Sequence, residues 1–264
     1  QGIGVSYPNG SDMIVAKLSN DGTELLSSTF LGGSQNDGHN SAPALKFNYA
    51  DEMRGEILLD ANDQVFVLSC TGSTDFPVSP GAPQAAFAGG THDGVLVKLN
   101  ASLTSLVWST FFGGSGADAV FGGEMFANGD LAFSGGTEST DLPVPPGAYQ
   151  LLFQGGQADA FAGRINAAGT AITGATYYGS GAYDQAYFID LDDQENIFLF
   201  GQTQAPAGEL IFNAPYNIPT AGQFIAKLSP DASSLLMASR FGAPTGSPTI
   251  SPTAFLVDYF DKLY

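Results

Sequence analysis

The sequence predicts an all-β fold built from repeated antiparallel units. Three observations predict it: a composition suited to strands, short apolar runs separated by turn residues, and a set of motifs that recurs along the chain. Of 264 residues, 34 are Gly, 20 are Phe and 10 are Tyr, whereas only 13% are charged. This composition favours short aromatic strands joined by tight turns over amphipathic helices.

The charge and the cysteine count exclude several classes of function. The chain has 8 Lys and Arg residues and 26 Asp and Glu residues, and the resulting net charge of −18 opposes binding to nucleic-acid phosphates and anionic lipid head groups. No apolar run approaches the roughly eighteen residues of a membrane span. Cys70 is the single cysteine, so no intrachain disulfide can form, and its apolar surroundings predict a buried thiol.

One strand-like motif, a cationic residue between two apolar ones, occurs four times. An acidic residue precedes three copies (Asp12, Asp93 and Asp159), and Gln223 takes that place in the fourth. A second motif, an aromatic strand ending in Gly, follows each copy in step. The copies are "MIVAKLS" (13–19) with "STFLGG" (28–33), "GVLVKLN" (94–100) with "STFFGG" (109–114), "AFAGRIN" (160–166) with "ATYYGS" (175–180), and "FIAKLSP" (224–230) with "SRFGA" (239–243).

Each unit also contains an apolar run, a polar turn and a second apolar run, as in "GEILLDANDQVFVLS" (55–69) and "GEMFANGDLAFSG" (123–135). Such a pattern predicts a hairpin, because Asn-Gly and Asp-rich tips adopt the backbone conformations that tight turns need. A unit of about 60 residues therefore offers four strands. This period is typical of a β-propeller blade, which buries its faces only against neighbouring blades.

We expect a single β-propeller region over residues 1–264, with the first strand of each hairpin innermost. The two terminal half-blades either complete each other in a four-bladed ring or belong to a larger propeller; the larger propeller is favoured, because 253–264 ends within a strand pattern and 4–12 resembles the end of a preceding unit. The predicted parts are complete blades at about 54–113, 119–179 and 185–242, half-blades at 12–33 and 253–264, and an insertion at 39–54.

A turn-rich segment occurs twice in nearly the same form, as "STDFPVSPGAPQ" (73–84) and "STDLPVPPGAYQ" (139–150). In one interpretation, Asp75, Phe76, Asp141 and Tyr149 contact a partner on the loop face. In the other, which we favour, Phe76 and its counterpart Leu142 fill space between blades and each Asp closes a local turn.

Taken together, these motifs resemble the SBBP-type bacterial β-propeller repeat over nearly the whole chain. The pattern is Asp-x-apolar-apolar-apolar-Lys-Leu, Ser-Thr-Phe-x-Gly-Gly and Ser-Thr-Asp-Phe-Pro with Gly-Ala-x-Gln, and it is weakest in the last unit. The resemblance implies a large secreted or cell-surface bacterial protein with further domains in the same chain, of the kind exported by the outer-membrane type IX secretion machinery. It implies a scaffold, adhesion or recognition role and carries over no catalytic residues.

The insertion at 39–54 is the first candidate for a binding site, because extra loops that a fold does not require often carry function. It contains His39, Phe47, Tyr49, Asp51 and Arg54. We therefore expect a non-catalytic module that presents a loop face to a protein or a glycan. The alternatives are a structural spacer and a glycan-cleaving propeller enzyme completed by blades outside this segment.

No cofactor is predicted. Asp37, Asp118 and Asp184 recur at the same point of successive units, either as a ring of carboxylates that binds cations or sugar hydroxyls or, as we favour, as turn caps that repeat with the unit. The segment "DLDDQEN" (190–196) superficially resembles a calcium loop. It lacks the Gly and the later Glu of an EF-hand, so calcium is possible but cannot be assigned.

Overall fold

The computed structural model describes residues 3–4, 10–260 and 262–264, and most of the predicted preceding unit at 4–12 lies outside the described residues. The described residues form four β-sheets in sequence order, which confirms the all-β class and the four-stranded antiparallel units. Sheet 1 has the order β1-β3-β2, and sheets 2, 3 and 4 each contain four consecutive strands. The strands are β1 Ile3–Gly4, β2 Met13–Leu18, β3 Leu25–Gly32, β4 Glu56–Leu59, β5 Val65–Thr71, β6 Asp93–Leu99, β7 Leu106–Phe112, β8 Asp118–Met125, β9 Leu131–Thr137, β10 Asp159–Ile165, β11 Ile172–Tyr178, β12 Asp184–Leu191, β13 Ile197–Thr203, β14 Gln223–Leu228 and β15 Leu235–Phe241.

The sheets pack face to face, and each has a front face toward the preceding sheet and a back face toward the next. In sheet 2, Val95 and Phe111 on the front face pack against Leu31 of sheet 1. Leu96 and Phe112 on its back face belong to the apolar cluster shared with sheet 3. Side chains alternate between the two faces along each strand, and because both faces are covered, every residue of the central strands β5, β6 and β9 is buried.

The first strand of sheets 3 and 4 carries a β-bulge, at Val120/Gly122 in β8 and at Ala186/Phe188 in β12. Sheet 2 has its insertion at the matching place. Asp37 forms a bridge with Thr71, the chain then leaves the sheet, and β4 resumes the pairing at Glu56, opposite Leu68. The insertion therefore interrupts the first strand rather than preceding it. A bulge already breaks the ladder, so additional residues are tolerated there.

Residues 253–264, predicted as a half-blade hairpin, form a short antiparallel contact. Val257 bridges Leu263, and Leu256 and Tyr264 exchange backbone hydrogen bonds. The hairpin lies on the back face of sheet 4, where the backbone N–H of Val257 donates to Asp190 at 2.7 Å.

Candidate functional site

The insertion folds into two 3₁₀ helices, Pro43–Leu45 and Tyr49–Met53, that contact the first strands of sheets 3 and 4. Leu45 is fully buried, and its carbonyl accepts hydrogen bonds from Asn40 Nδ2 at 2.8 Å and from Gln185 Nε2 at 3.2 Å. Gln185 belongs to β12, 140 residues later. The insertion thus forms part of the protein interior.

Asp51 anchors the insertion to sheet 4. It is 0% exposed, and its Oδ2 accepts hydrogen bonds from the Asn48 backbone at 2.7 Å and from the Tyr187 hydroxyl at 3.1 Å. Its Oδ1 accepts from Arg54 Nε at 3.2 Å. The Arg54 guanidinium lies 4.9 Å from the centre of the Tyr187 ring, and the Tyr187 hydroxyl is 2.9 Å from that of Tyr183. The partly buried Arg54 thus joins the buried Asp51, Tyr183 and Tyr187 in one network.

Other residues of the insertion face outward. Tyr49 is 97% exposed, Met53 is also exposed, and Phe47 is partly exposed while it stacks on Tyr183 with 5.0 Å between ring centres. A small charged group lies beside them, in which His39 Nε2 is 3.1 Å from Glu52 Oε1 and Lys46 Nζ is 3.8 Å from the same oxygen. We call His39, Lys46, Phe47, Tyr49, Glu52 and Met53 the insertion surface. The hydrogen bond from His39 and the Lys46 charge lower the pKa of Glu52, so this carboxylate is ionised at neutral pH.

The duplicated segments contact the turns that connect successive sheets. Asp75 Oδ1 accepts hydrogen bonds from the backbone N–H and the hydroxyl of Ser34, at 2.8 and 2.9 Å. Asp141 makes the same two contacts with Ser115. Each Asp therefore ties its segment to a turn in the preceding connection rather than closing only a local turn. The repetition of the segment follows from the repetition of this contact.

The apolar residues of the two segments differ in exposure. Phe76 is buried and lies 6.2 Å, centre to centre, from the Phe111 ring, and Leu142 is buried as well. Neither side chain offers a surface to a partner. Tyr149 keeps about a third of its surface exposed while its ring packs near that of Tyr178.

The recurring carboxylates cap turns. Gly33 donates its backbone N–H to Asp37 at 2.8 Å, Gly114 donates to Asp118 at 2.7 Å, and Ser180 donates to Asp184 at 2.6 Å. Burial raises the pKa of Asp118 to about 7 and that of Asp184 to about 6, against the opposing effect of these hydrogen bonds. Within the described ranges, no three His, Cys, Asp or Glu side chains are grouped so that they could hold a metal ion.

In sheets 2, 3 and 4, the recurring cation of the strand motif has a partner in the hairpin of its own sheet, whereas Lys17 of sheet 1 lies 3.9 Å from Asp63 in the hairpin of sheet 2. Lys98 Nζ lies 2.9 Å from Asp60, Arg164 lies 2.8 Å from Asp130, and Lys227 lies 2.6 Å from Asp192. The sequence analysis identified the recurring cations and the acidic hairpin turns separately, but it did not predict that they form ion pairs. Asp192, in the segment that resembles a calcium loop, also accepts backbone hydrogen bonds from Gln194 and Asn196. Its oxygens thus serve as a turn cap and an ion-pair partner.

Sequence reasoning did not identify Tyr183 and Tyr187, because an aromatic residue within a strand pattern predicts core packing and nothing more. In the structure these two tyrosines hold the insertion, because Tyr187 binds Asp51 and Tyr183 stacks on Phe47. Cys70 is buried, and burial raises the pKa of its thiol to about 12, which makes it unreactive at neutral pH.

Comparison with known proteins gives no assignment: no family model matches this chain, and no curated protein matches it. Among the residues that the structure describes, no helix has both the length and the apolar character required to cross a membrane.

Proposed function

We propose that this chain is a β-propeller region of the SBBP type, in which the first strands of sheets 2, 3 and 4 lie innermost. The support is the repeat itself together with the way the sheets pack. β8 packs against β4 and β5 of the preceding sheet, and β12 packs against β8 and β9. The apolar faces meet front to back in sheet order, as blades do around a ring.

Within that architecture, the proposed function is non-catalytic recognition of a protein or glycan by a secreted or cell-surface bacterial protein. The observation that carries the proposal is the insertion surface: a rigid, buried network supports an exposed patch that combines aromatic side chains with an ionised carboxylate. Tyrosine supplies contact area at a low cost in conformational entropy, and neighbouring polar groups orient a partner. A surface fixed by Asp51 and Arg54 loses little freedom when it binds.

A glycan array and a panel of extracellular matrix proteins, probed with the whole chain, test this function. We expect binding that Tyr49→Ala weakens at least tenfold, because this side chain is almost fully exposed and its removal should leave the fold intact. Tyr259→Ala removes another exposed tyrosine far along the chain and serves as the matched control. The proposal would be contradicted if both variants lost the same binding affinity, or if Tyr49→Ala bound as tightly as the wild-type chain.

The export part of the proposal requires a separate test on the source cells. Surface digestion by an added protease, followed by detection of peptides from this chain, distinguishes a surface protein from an internal one. Peptide mapping of the intact source protein would show whether further repeats and a sorting domain accompany it. Turnover of chromogenic glycosides by the whole chain would instead support the glycan-cleaving alternative.

A further inference from the structure

The insertion contacts three sheets. Its chain leaves sheet 2 at Asp37 and rejoins it at Glu56. Between these points, Leu45 shares one apolar cluster with Ala119 of sheet 3 and Tyr187 of sheet 4. The strands themselves pack sheet 2 on sheet 3 and sheet 3 on sheet 4. The insertion therefore reaches from sheet 2 across sheet 3 to sheet 4.

Three polar side chains of sheet 4 hold the far side of the insertion. Gln185 donates to a carbonyl of the insertion, and Tyr187 donates to its buried carboxylate. Gln202 of β13 exchanges two hydrogen bonds with the Asn48 amide, of 3.0 and 3.3 Å between nitrogen and oxygen. All three side chains of sheet 4 are at most 1% exposed. Lifting the insertion would leave these buried groups without their partners, which costs free energy.

Sheet 3 does not have these polar groups at the corresponding positions. The two sheets align, because Asp184 pairs with Thr203 as Asp118 pairs with Thr137, and the bulge of each first strand lies at the same distance from that pair. At the positions of the three polar residues of sheet 4, sheet 3 has Ala119, Phe121 and Gly136. Sheet 4 thus departs from the repeat at the positions that donate hydrogen bonds to the insertion.

Sheet 3 has small residues where the insertion passes. A Cβ added to Gly136 would come within 3.0 Å of Gln185 Cδ and 3.1 Å of Leu45 Cδ2. The space beside this glycine is therefore already filled by sheet 4 and by the insertion. Ala119, which pairs with Gly136, lies in the same apolar cluster as Leu45. Sheet 3 leaves room for the insertion, and sheet 4 binds it.

We propose that the insertion is a strap that holds sheet 4 to sheet 2, so that residues 39–54 and strands β12 and β13 open together as one cooperative unit. Units of this kind open locally, at a lower free energy than unfolding of the whole protein. The two elements are joined because opening either one alone separates buried hydrogen-bond partners that belong to both. This role requires no partner at the insertion surface.

Hydrogen–deuterium exchange of the whole chain tests the strap with one variant on each side of the contact. Asn48→Ala changes the insertion alone, and we expect amide exchange in β12 and β13 to become at least fivefold faster. Tyr187→Phe changes sheet 4 alone and introduces the residue that sheet 3 has at this position. We expect it to make exchange in residues 39–54 at least fivefold faster. Neither change adds volume to the interior, so the fold should persist, which circular dichroism verifies.

Tyr177→Phe is the matched control. It removes a buried tyrosine hydroxyl from sheet 3, where that hydroxyl binds the backbone of Ser139 and Leu142 instead of the insertion. This variant should leave exchange in residues 39–54 unchanged. The proposal is overturned if Asn48→Ala accelerates exchange only within residues 39–54, or if Tyr187→Phe affects the insertion no more than Tyr177→Phe does.

Discussion

Gly114 lies so close to Asp141 that a Cβ added to this glycine would come within 2.4 Å of Asp141 Oδ1 and 2.8 Å of Ser139 Cβ. Gly33 has the same relationship to Asp75 and Ser73. At the third connection the chain has Ser180 instead of glycine, and there Ala205 and Ala207 replace the serine and the aspartate. The Ser180 hydroxyl donates to Asp184 at 2.7 Å, which is the contact that Ser139 makes with Asp118.

The third connection thus has a serine where the other two have glycine, and alanines where they have Ser and Asp. From this difference we predict that Gly114→Ser destabilises the wild-type chain by about 1–3 kcal/mol, because the new side chain would overlap Ser139 and Asp141. In a background that carries Ser139→Ala and Asp141→Ala, the same change should be nearly neutral, since the new hydroxyl can reach Asp118. Chemical denaturation of all four chains measures the coupling. Additive effects would show that the two arrangements are not interchangeable.

The contact between Asp141 and Ser115 should contribute to stability despite its exposure. Asp141→Ala removes the acceptor of two hydrogen bonds, and we expect a loss of about 1 kcal/mol in the free energy of unfolding. Asp141→Asn keeps an acceptor oxygen but loses the charge, so its loss should be smaller. Urea denaturation measures the free energy of unfolding of both variants. Equal losses would mean that the negative charge of Asp141, rather than its hydrogen bonds, contributes the stability.

The ion pair between the partly buried Arg54 and the buried Asp51 should be essential to the position of the insertion on sheet 4. Arg54→Met leaves the fully buried Asp51 carboxylate without its cation, and we expect about 3–5 kcal/mol of destabilisation. Adding Asp51→Asn to this variant should recover part of the loss, because the uncompensated charge is gone. Lys17→Met is the control, since Lys17 lies 3.9 Å from an exposed Asp63 and such pairs contribute less than about 1 kcal/mol. A loss as small as the control's would show that the network does not hold the insertion.

The sequence predicted the strands, the hairpins and the repeat because each is encoded locally, by alternation and by turn residues. It did not predict contacts between residues far apart in the chain. Asp75 was expected to close its own turn, yet its partner Ser34 is 41 residues earlier. The alignment placed Gln223 with the aspartates, but Gln223 pairs with Gln202, which leaves Gly222 opposite Thr203.

The candidate site shows the same limit. Extra length identified the insertion as unusual, and Tyr49 is indeed exposed. Local sequence, however, does not distinguish Tyr49 from Asp51, two residues later and fully buried. Their different fates depend on where β12 places Tyr187, a tertiary relationship that no pattern within residues 39–54 contains.

Four buried carboxyl groups predict an unusual dependence of stability on pH. Burial raises the pKa of Asp93 and Asp184 to about 6 and that of Asp118 and Asp159 to about 7. In the unfolded chain, Asp titrates near 3.9. Between these values the folded state binds more protons than the unfolded state, so the free energy of unfolding should fall as the pH rises from about 4 to about 7. The carboxylates with lowered pKa, such as Asp60 and Asp192, titrate below this window and do not offset the fall. Burial lowers the pKa of His92 to about 4, and this single group opposes the effect of the four carboxyl groups.

Asp159→Asn isolates one contribution to that slope. Asp159 Oδ2 accepts the backbone N–H of Gln154, whereas its Oδ1 is buried and has no hydrogen-bond partner among the described residues, so an amide keeps the acceptor and removes the titration. We expect the variant to flatten the slope between pH 5 and 7 by at most about 1.4 kcal/mol per pH unit. Asp193→Asn, the same substitution at an exposed residue of a hairpin turn, is the matched control. Urea denaturation at half-unit steps of pH measures the free energy of unfolding of both chains. If it rises between pH 4 and pH 7, these carboxyl groups are ionised in the folded protein and stabilised by hydrogen bonds or cations.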